Sequence, residues 1–166
     1  MSGVSIEISL PLQQLSLFEV TPEGEILLRQ FAVSTALNGA GEADGSYCTP
    51  RGRHRIAQKV GAGAPLFSVF KARVANGEIW TPQLDREEPG RDWILSRILW
   101  LEGIEAGKNQ GDTVDSYARY IYIHGTNEED KIGTPASHGC IRMRNADMAD
   151  LFDRVEVGTP VNITET

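Results

Sequence analysis

Apolar and polar residues alternate at the start of the chain, where Val4, Ile6, Ile8 and Leu10 are interleaved with Ser5, Glu7 and Ser9. A period of two predicts a half-buried strand over 4–10. Strand-like patterns follow over 15–20 and 25–34, and Thr21-Pro22-Glu23-Gly24 between them has turn chemistry. The opening therefore reads as a β-meander. Residues 38–45 are polar and glycine-rich, a loop. Segments 53–60 and 66–74 predict further strands, parted by Gly61-Ala62-Gly63-Ala64-Pro65. Residues 76–91 are polar and contain Pro82, Pro89 and Gly90, which predicts an excursion over the surface. Such a segment is either a plain solvated loop or a lid or wall beside a site.

The second half repeats the alternation of strand and loop. Residues 93–101 are apolar and β-rich, 102–115 form a polar loop, and 119–124 are again β-branched and aromatic. The period then changes. Met148, Leu151, Phe152 and Val155 recur at helical spacing, behind Asn145 as a predicted N-cap and Asp147 in the first turn. A short strand over 161–164 ends the pattern. The fold expected is a single domain over 1–166, mainly β, as a mixed β-sandwich or open barrel with one helix near the end.

Composition narrows the function classes. A chain of 166 residues that is 40% hydrophobic is long enough for one real core. A net charge of −7 argues against a nucleic-acid binder, which would need a basic face. Two cysteines allow at most one disulfide. No run approaches the length of a membrane span, and the first residues lack a basic and apolar leader pattern. A cytoplasmic protein is the expectation, or a periplasmic one whose signal has been removed.

Chemistry concentrates in two segments. Arg119-Tyr120-Ile121-Tyr122-Ile123-His124 reads as a strand running into Gly125-Thr126, with Tyr120, Tyr122 and His124 on one face. Ser137-His138-Gly139-Cys140-Ile141-Arg142-Met143 follows. A thiol attacks as the thiolate and needs a base, and imidazole is the side chain whose ordinary pKa suits that task. Cys140 is thus a candidate nucleophile and His124 its general base. Gly139 clears space for backbone N–H groups to face a developing oxyanion. On pattern alone, a buried structural thiol and a core histidine stay open as readings. A zinc site built on His124, His138 and Cys140 is a further rival, short of a fourth ligand.

These two segments, His124-Gly125-Thr126 and 133–143, resemble the signature of the L,D-transpeptidase (YkuD-type) catalytic domain family. The likeness extends to the helix after Cys140 and the closing Gly158-Thr159-Pro160-Val161 strand. Upstream it takes in 14–18, 33–35 and Thr49-Pro50-Arg51-Gly52, and it is weakest over 75–116. The resemblance implies that Cys140 attacks the carbonyl between the position-three diamino acid and terminal D-Ala of a murein tetrapeptide. It makes His124 the base, with its second ring nitrogen held by the Gly125 carbonyl. It makes His138 a substrate-contacting or oxyanion-supporting residue; Arg142, where many family members carry Asn, lies two beyond Cys140 and so faces the same cleft, with Ser137 also near the substrate. It implies an oxyanion hole of the Gly139 and Cys140 N–H groups, and no cofactor or metal. Ser137 also reads as a loop-structuring hydroxyl, and Arg142 as a bidentate holder of a carboxylate or as half of a surface ion pair. Cys48 and the basic cluster Arg51, Arg53 and Arg55 receive no role. The partner expected is a murein tetrapeptide or muropeptide. Either water resolves the thioester, giving an L,D-carboxypeptidase of cytoplasmic muropeptide recycling, or an amine does, giving 3-3 crosslinks. A catalytically silent murein-binding module is the reading from another class.

Overall fold

The computed structural model describes residues 3–166. Its sheet contains Val4–Ser9 (β1), Gln14–Thr21 (β2), Gly24–Ser34 (β3), Gly52–Val60 (β4), Ser68–Lys71 (β5) and Val74–Ile79 (β6). It continues through Leu95–Gly103 (β7), Tyr122–Gly125 (β8), Ile141–Met143 (β9) and Pro160–Thr164 (β10). The strand order is β4-β10-β1-β2-β3-β9-β8-β7-β5-β6, and β4 also pairs with β7. That last pairing closes the ring, so eight strands form a barrel and the β5–β6 hairpin hangs outside it. The sheet is mixed as expected: β1–β10 and β8–β9 are parallel and the other pairings antiparallel.

The alternation at the start of the chain has a direct outcome. Ile6 and Ile8 point inward with Leu15, Leu17, Val33, Ile56, Leu99, Leu101, Ile121, Ile123, Ile141 and Met143. The helix Asn145–Arg154 (α2, after Pro82–Glu87, α1) adds Met148, Leu151 and Phe152, joined by Val155 just beyond its end. Burying such side chains supplies about 25 cal/mol per Å² of apolar surface, the main favourable term in the fold. Lys59 reaches over the helix end and donates to the carbonyls of Phe152 and Val155, each at 2.6 Å, a favourable place for a cation.

Four sequence expectations change. The strand over 66–74 is a hairpin: β5 and β6 join through Ala72 and Arg73, both with positive φ, the geometry of a primed two-residue turn. The excursion 76–91 holds the end of β6 and the short helix α1, capped by Thr81 Oγ1 accepting from the Leu84 N–H at 3.1 Å. The strand predicted over 119–124 begins only at Tyr122, because Tyr120 is in a left-handed conformation. Asn145 is the first helical residue and Arg144 the N-cap position, without a side-chain cap. Glu129 from another segment accepts the Asn145 N–H at 2.7 Å instead, so the end is capped through tertiary structure.

Candidate active site

Strands β8 and β9 lie side by side and parallel, with His124 opposite Arg142 and Ile123 opposite Ile141. Alternate side chains share a face. Tyr122 and His124 of one strand therefore face the same way as Cys140 and Arg142 of the other. Cys140 sits just before β9, level with Tyr122, whose N–H donates to Cys140 Sγ at 3.3 Å. The thiol itself donates to the Tyr120 carbonyl at 3.3 Å. His124 and Cys140 line one cavity of about 210 Å³ with Asp92, Ile94, Arg119, Tyr120, Tyr122, His138 and Arg142. The parallel pairing needs a long crossover, residues 126–140. That crossover carries most of the motif.

His124 is 1% exposed. Its Nδ1 lies 2.6 Å from the Gly125 carbonyl oxygen. A carbonyl only accepts, so Nδ1 carries the proton and Nε2 of the neutral ring is left as a base. Burial pushes the imidazole pKa down, opposed by the Gly125 bond and Asp92 and reinforced by the Arg142 charge. Burial pushes the Cys140 thiol up to about 12, against the pull of the Tyr122 N–H and of Arg142 and Arg119. Burial thus favours the neutral form of both groups.

Gly125 allows a close approach: a Cβ there would strike Asn145 Oδ1 and the Leu95 carbonyl. The glycine lets β8 pass against the start of α2, where Asn145 receives Ser96 Oγ at 2.6 Å and donates to the Thr126 carbonyl at 2.8 Å. Base and helix are thereby locked to each other.

The loop before Cys140 departs from expectation in two respects. Gly139 was expected to lend its N–H to an oxyanion. That N–H points to Ser137 Oγ at 3.2 Å, and the residue has φ +133 with the Cys48 carbonyl 3.1 Å from where a Cβ would be. Its contribution is conformational. Among the described residues the Cys140 N–H has no acceptor, so it is the loop donor left for an oxyanion. Ser137, expected near substrate, is 1% exposed and donates to the Cys140 carbonyl at 2.6 Å. Both of its bonds go to the loop backbone, which leaves the structural reading. Thr49 ties the loop down from outside, donating to the Gly139 carbonyl at 2.9 Å. This is what the Thr49-Pro50-Arg51-Gly52 segment does here.

Arg142 is buried, and its two terminal nitrogens face Glu128 and Asp92, each at 3.1 Å. A guanidinium so engaged is not free to hold a substrate carboxylate, so the geometry does not support the clamp expected of it. It joins the Cys140 cavity to a second one of about 460 Å³, lined by Asp85, Asp92, Glu128, Asp130, Arg91 and Lys131 among others. His138 is exposed between the two cavities, with the Tyr47 ring edge-on at 5.9 Å between centroids. The 76–91 segment thus forms a wall, through Asp85, Gly90 and Arg91. The zinc reading finds no support in the geometry: Cys140 Sγ sits between backbone groups, although His124 Nε2 stays open. Among the described residues no three His, Cys, Asp or Glu side chains converge to hold a metal.

Sequence reasoning missed Arg119, Asp92, Thr49 and Tyr47. Arg119 lines the Cys140 cavity and donates to the Cys48 carbonyl at 2.7 Å and the Glu42 carbonyl at 3.2 Å, fixing the 41–48 loop. Its position at the end of the tyrosine run was visible; its partners lie more than seventy residues away, and nothing local signals them.

Comparison with known proteins gives one consistent result. The family model YkuD, described as the L,D-transpeptidase catalytic domain, matches residues 3–163. "Probable L,D-transpeptidase YbiS" of Escherichia coli K12 is 36% identical over 98 residues, 52% of this chain and 32% of that protein. "Probable L,D-transpeptidase ErfK/SrfK" of the same strain is 53% identical over 98 residues, and the match again spans 32% of the relative's length. L,D-transpeptidase 3 from Mycobacterium tuberculosis, in complex with a faropenem-derived adduct, has a TM-score of 0.59 at 15% identity, over 99% of this chain and 61% of that one. That is a likeness of fold.

Proposed function

The chain belongs to the YkuD-type L,D-transpeptidase catalytic domain family, and from that membership we propose that Cys140 and His124 cleave the L,D bond before the terminal D-Ala of murein tetrapeptides. The observation that carries this reading is the parallel β8–β9 pair, which sets a thiol and an imidazole with an unprotonated Nε2 in one cavity.

His124 Nε2 takes the proton from Cys140 as Sγ attacks the carbonyl of the position-three residue. The Cys140 N–H receives the negative charge that gathers on the carbonyl oxygen, and removing one such donor typically costs about 10²–10³ in turnover. The C–N bond breaks as His124 returns the proton to the D-Ala amine. A thioester on Cys140 remains. An attacking water gives its proton to His124, releasing a tripeptide carboxylate and the free thiol.

Water as the acceptor makes the enzyme an L,D-carboxypeptidase. What favours it is that water needs no oriented site, whereas an amine must be held at high effective concentration. Action on free muropeptides in cytoplasmic recycling is the setting we propose for it. One feature favours the amine: the second cavity, which shares Asp92, His138 and Arg142 with the first, holds the carboxylates Asp85 and Asp130 besides the pairs that Asp92 and Glu128 make with Arg142 and Lys131. Such a wall would attract a protonated amine, as a crosslinking L,D-transpeptidase requires. Mass spectrometry after incubation with excess tetrapeptide distinguishes the outcomes. Tripeptide plus D-Ala is expected; dominant 3-3 dimer would replace hydrolysis by crosslinking, and unchanged tetrapeptide would overturn both. A reporter fusion to the native gene product tests the compartment.

A further inference from the structure

Three guanidinium groups stand around Cys140, and two are already engaged. Arg142 faces Asp92 and Glu128. Arg119 spends its donors on carbonyls of the 41–48 loop. The third, Arg73, is different. It comes from outside the barrel, at the tip of the β5–β6 hairpin. Its guanidinium carbon lies 4.7 Å from the Trp100 ring centroid and 5.1 Å from that of Tyr120. One terminal nitrogen donates to the Tyr122 hydroxyl at 3.0 Å. Among the described residues no carboxylate pairs with it.

The side chain is presented at some conformational cost. Arg73 has φ +65 and Ala72 φ +47, at turn positions where glycine or asparagine is usual. A non-glycine residue held in this region points to a function for what it presents. Its aromatic supports are also the residues whose backbones hold the nucleophile: the Tyr120 carbonyl and the Tyr122 N–H both bond Cys140 Sγ. Arg73 is therefore fixed about one tyrosine side chain away from the reacting sulfur, across the open rim on which Tyr120 is 53% exposed. A guanidinium held over aromatic rings, with one donor on Tyr122, keeps its other donors for a carboxylate.

We propose that Arg73 is a carboxylate receptor that selects donor peptides whose position-three diamino acid carries a distal carboxylate. This rests on the L,D-cleavage reading above. With the attacked carbonyl at Cys140, the extended side chain of a diamino diacid places its far carboxylate at a span comparable to the Tyr122 side chain. A lysine-type residue at that position has only the amine and gains nothing from Arg73. The remaining donors, beyond the one given to Tyr122, supply the charged hydrogen bonds, which are worth about a 10- to 100-fold preference.

The test compares two tetrapeptides, identical except for diaminopimelate or lysine at position three, by D-Ala release. The wild type is expected to favour the diacid about 10- to 100-fold in kcat/KM. Arg73→Gln should bring the ratio close to one by lowering the diacid value, and Arg73→Lys should retain part of the preference. A loosened hairpin would lower both peptides together and leave the ratio intact, and that result overturns the proposal. So does a wild-type enzyme that treats the peptides alike. Release of D-Ala from either peptide leaves the cleavage reading standing whatever Arg73 does; release from neither overturns that reading and this inference with it.

Discussion

Two buried histidines of this protein are built alike and do different things. His54 and His124 are each 1% exposed. Each holds Nδ1 on a backbone carbonyl, Gly52 for one at 2.9 Å and Gly125 for the other at 2.6 Å. Burial pushes both pKa values down. They part at Nε2. In His54 it meets Ser116 Oγ at 2.8 Å, and Ser116 is fully buried. In His124 it belongs to a ring that lines a cavity with Cys140. A histidine beside a hydroxyl resembles a catalytic pair, and His54 too lines a cavity, of about 220 Å³, but its Nε2 is taken up by the fully buried Ser116. The pair ties the 103–121 loop to the barrel, since Ser116 also accepts the Ile121 N–H at 3.2 Å. The partner at the second nitrogen, rather than burial, the direction of the pKa shift or contact with a cavity, separates the two histidines.

The comparison breaks first at the sulfur. Cys140→Ala is expected to abolish D-Ala release and leave the melting temperature near that of the wild type. His124→Gln should lower kcat by about 10²–10⁴, the usual worth of a general base, and a circular dichroism melt should show the fold retained. Equal loss of activity in His54→Gln at matched folded fraction would remove the distinction between the two residues.

Proton affinities sharpen it. With the Cys140 thiol pushed up to about 12, iodoacetamide should alkylate it slowly at neutral pH. The rate should climb about tenfold per pH unit and keep climbing past pH 9. A plateau near neutrality would mean a preformed thiolate–imidazolium pair. His54 is expected to act on stability instead. Its folded pKa is near 4 against an ordinary 6.5, so the fold favours the neutral ring. That stability is complete above pH 6.5 and lost as pH falls towards 4, amounting to about 3 kcal/mol. Urea unfolding of wild type and His54→Asn across this range should show the wild type losing the larger share. Cys48→Ala is the smallest change: its thiol donates only to loop carbonyls, those of Asn38 and Ser46, and turnover should stay within about twofold, a stability change of about 0.5 kcal/mol or less being usual for such sites.

Much of this arrangement was legible before any coordinates. Strand existence followed from the period-two pattern, because one face of each strand must enter the core. The pairing of Cys140 with His124 followed from two compact motifs. What was not legible came from contacts distant in sequence. Asn145 has the composition of a cap, yet Glu129 performs the capping from across the crossover. Of the two readings of Ser137, beside a substrate or structuring its loop, the second is the one its bonds fit, and the Gly139 N–H expected at an oxyanion goes to Ser137 Oγ. Of the two readings of Arg142, carboxylate holder or half of an ion pair, the ion pair is the one observed, and its partners Asp92 and Glu128 come from separate segments that no local window names. The hairpin at Ala72 and Arg73 was invisible because neither residue advertises a primed turn. Tertiary partners, unlike periodicity, leave no mark in a local window.

The position of β10 has a consequence in time. The strand lies between β4 and β1, joining an early part of the chain to its beginning, and it fills the core with Val161 and Ile163. Until residues 160–164 have been synthesised, that seam of the ring stays open. Such distant pairings make for slow folding, and a nascent chain can hold Cys140 and His124 without the closed barrel that aligns them. The alignment of Cys140 with His124 by the closed barrel thus waits until translation has passed the keystone strand.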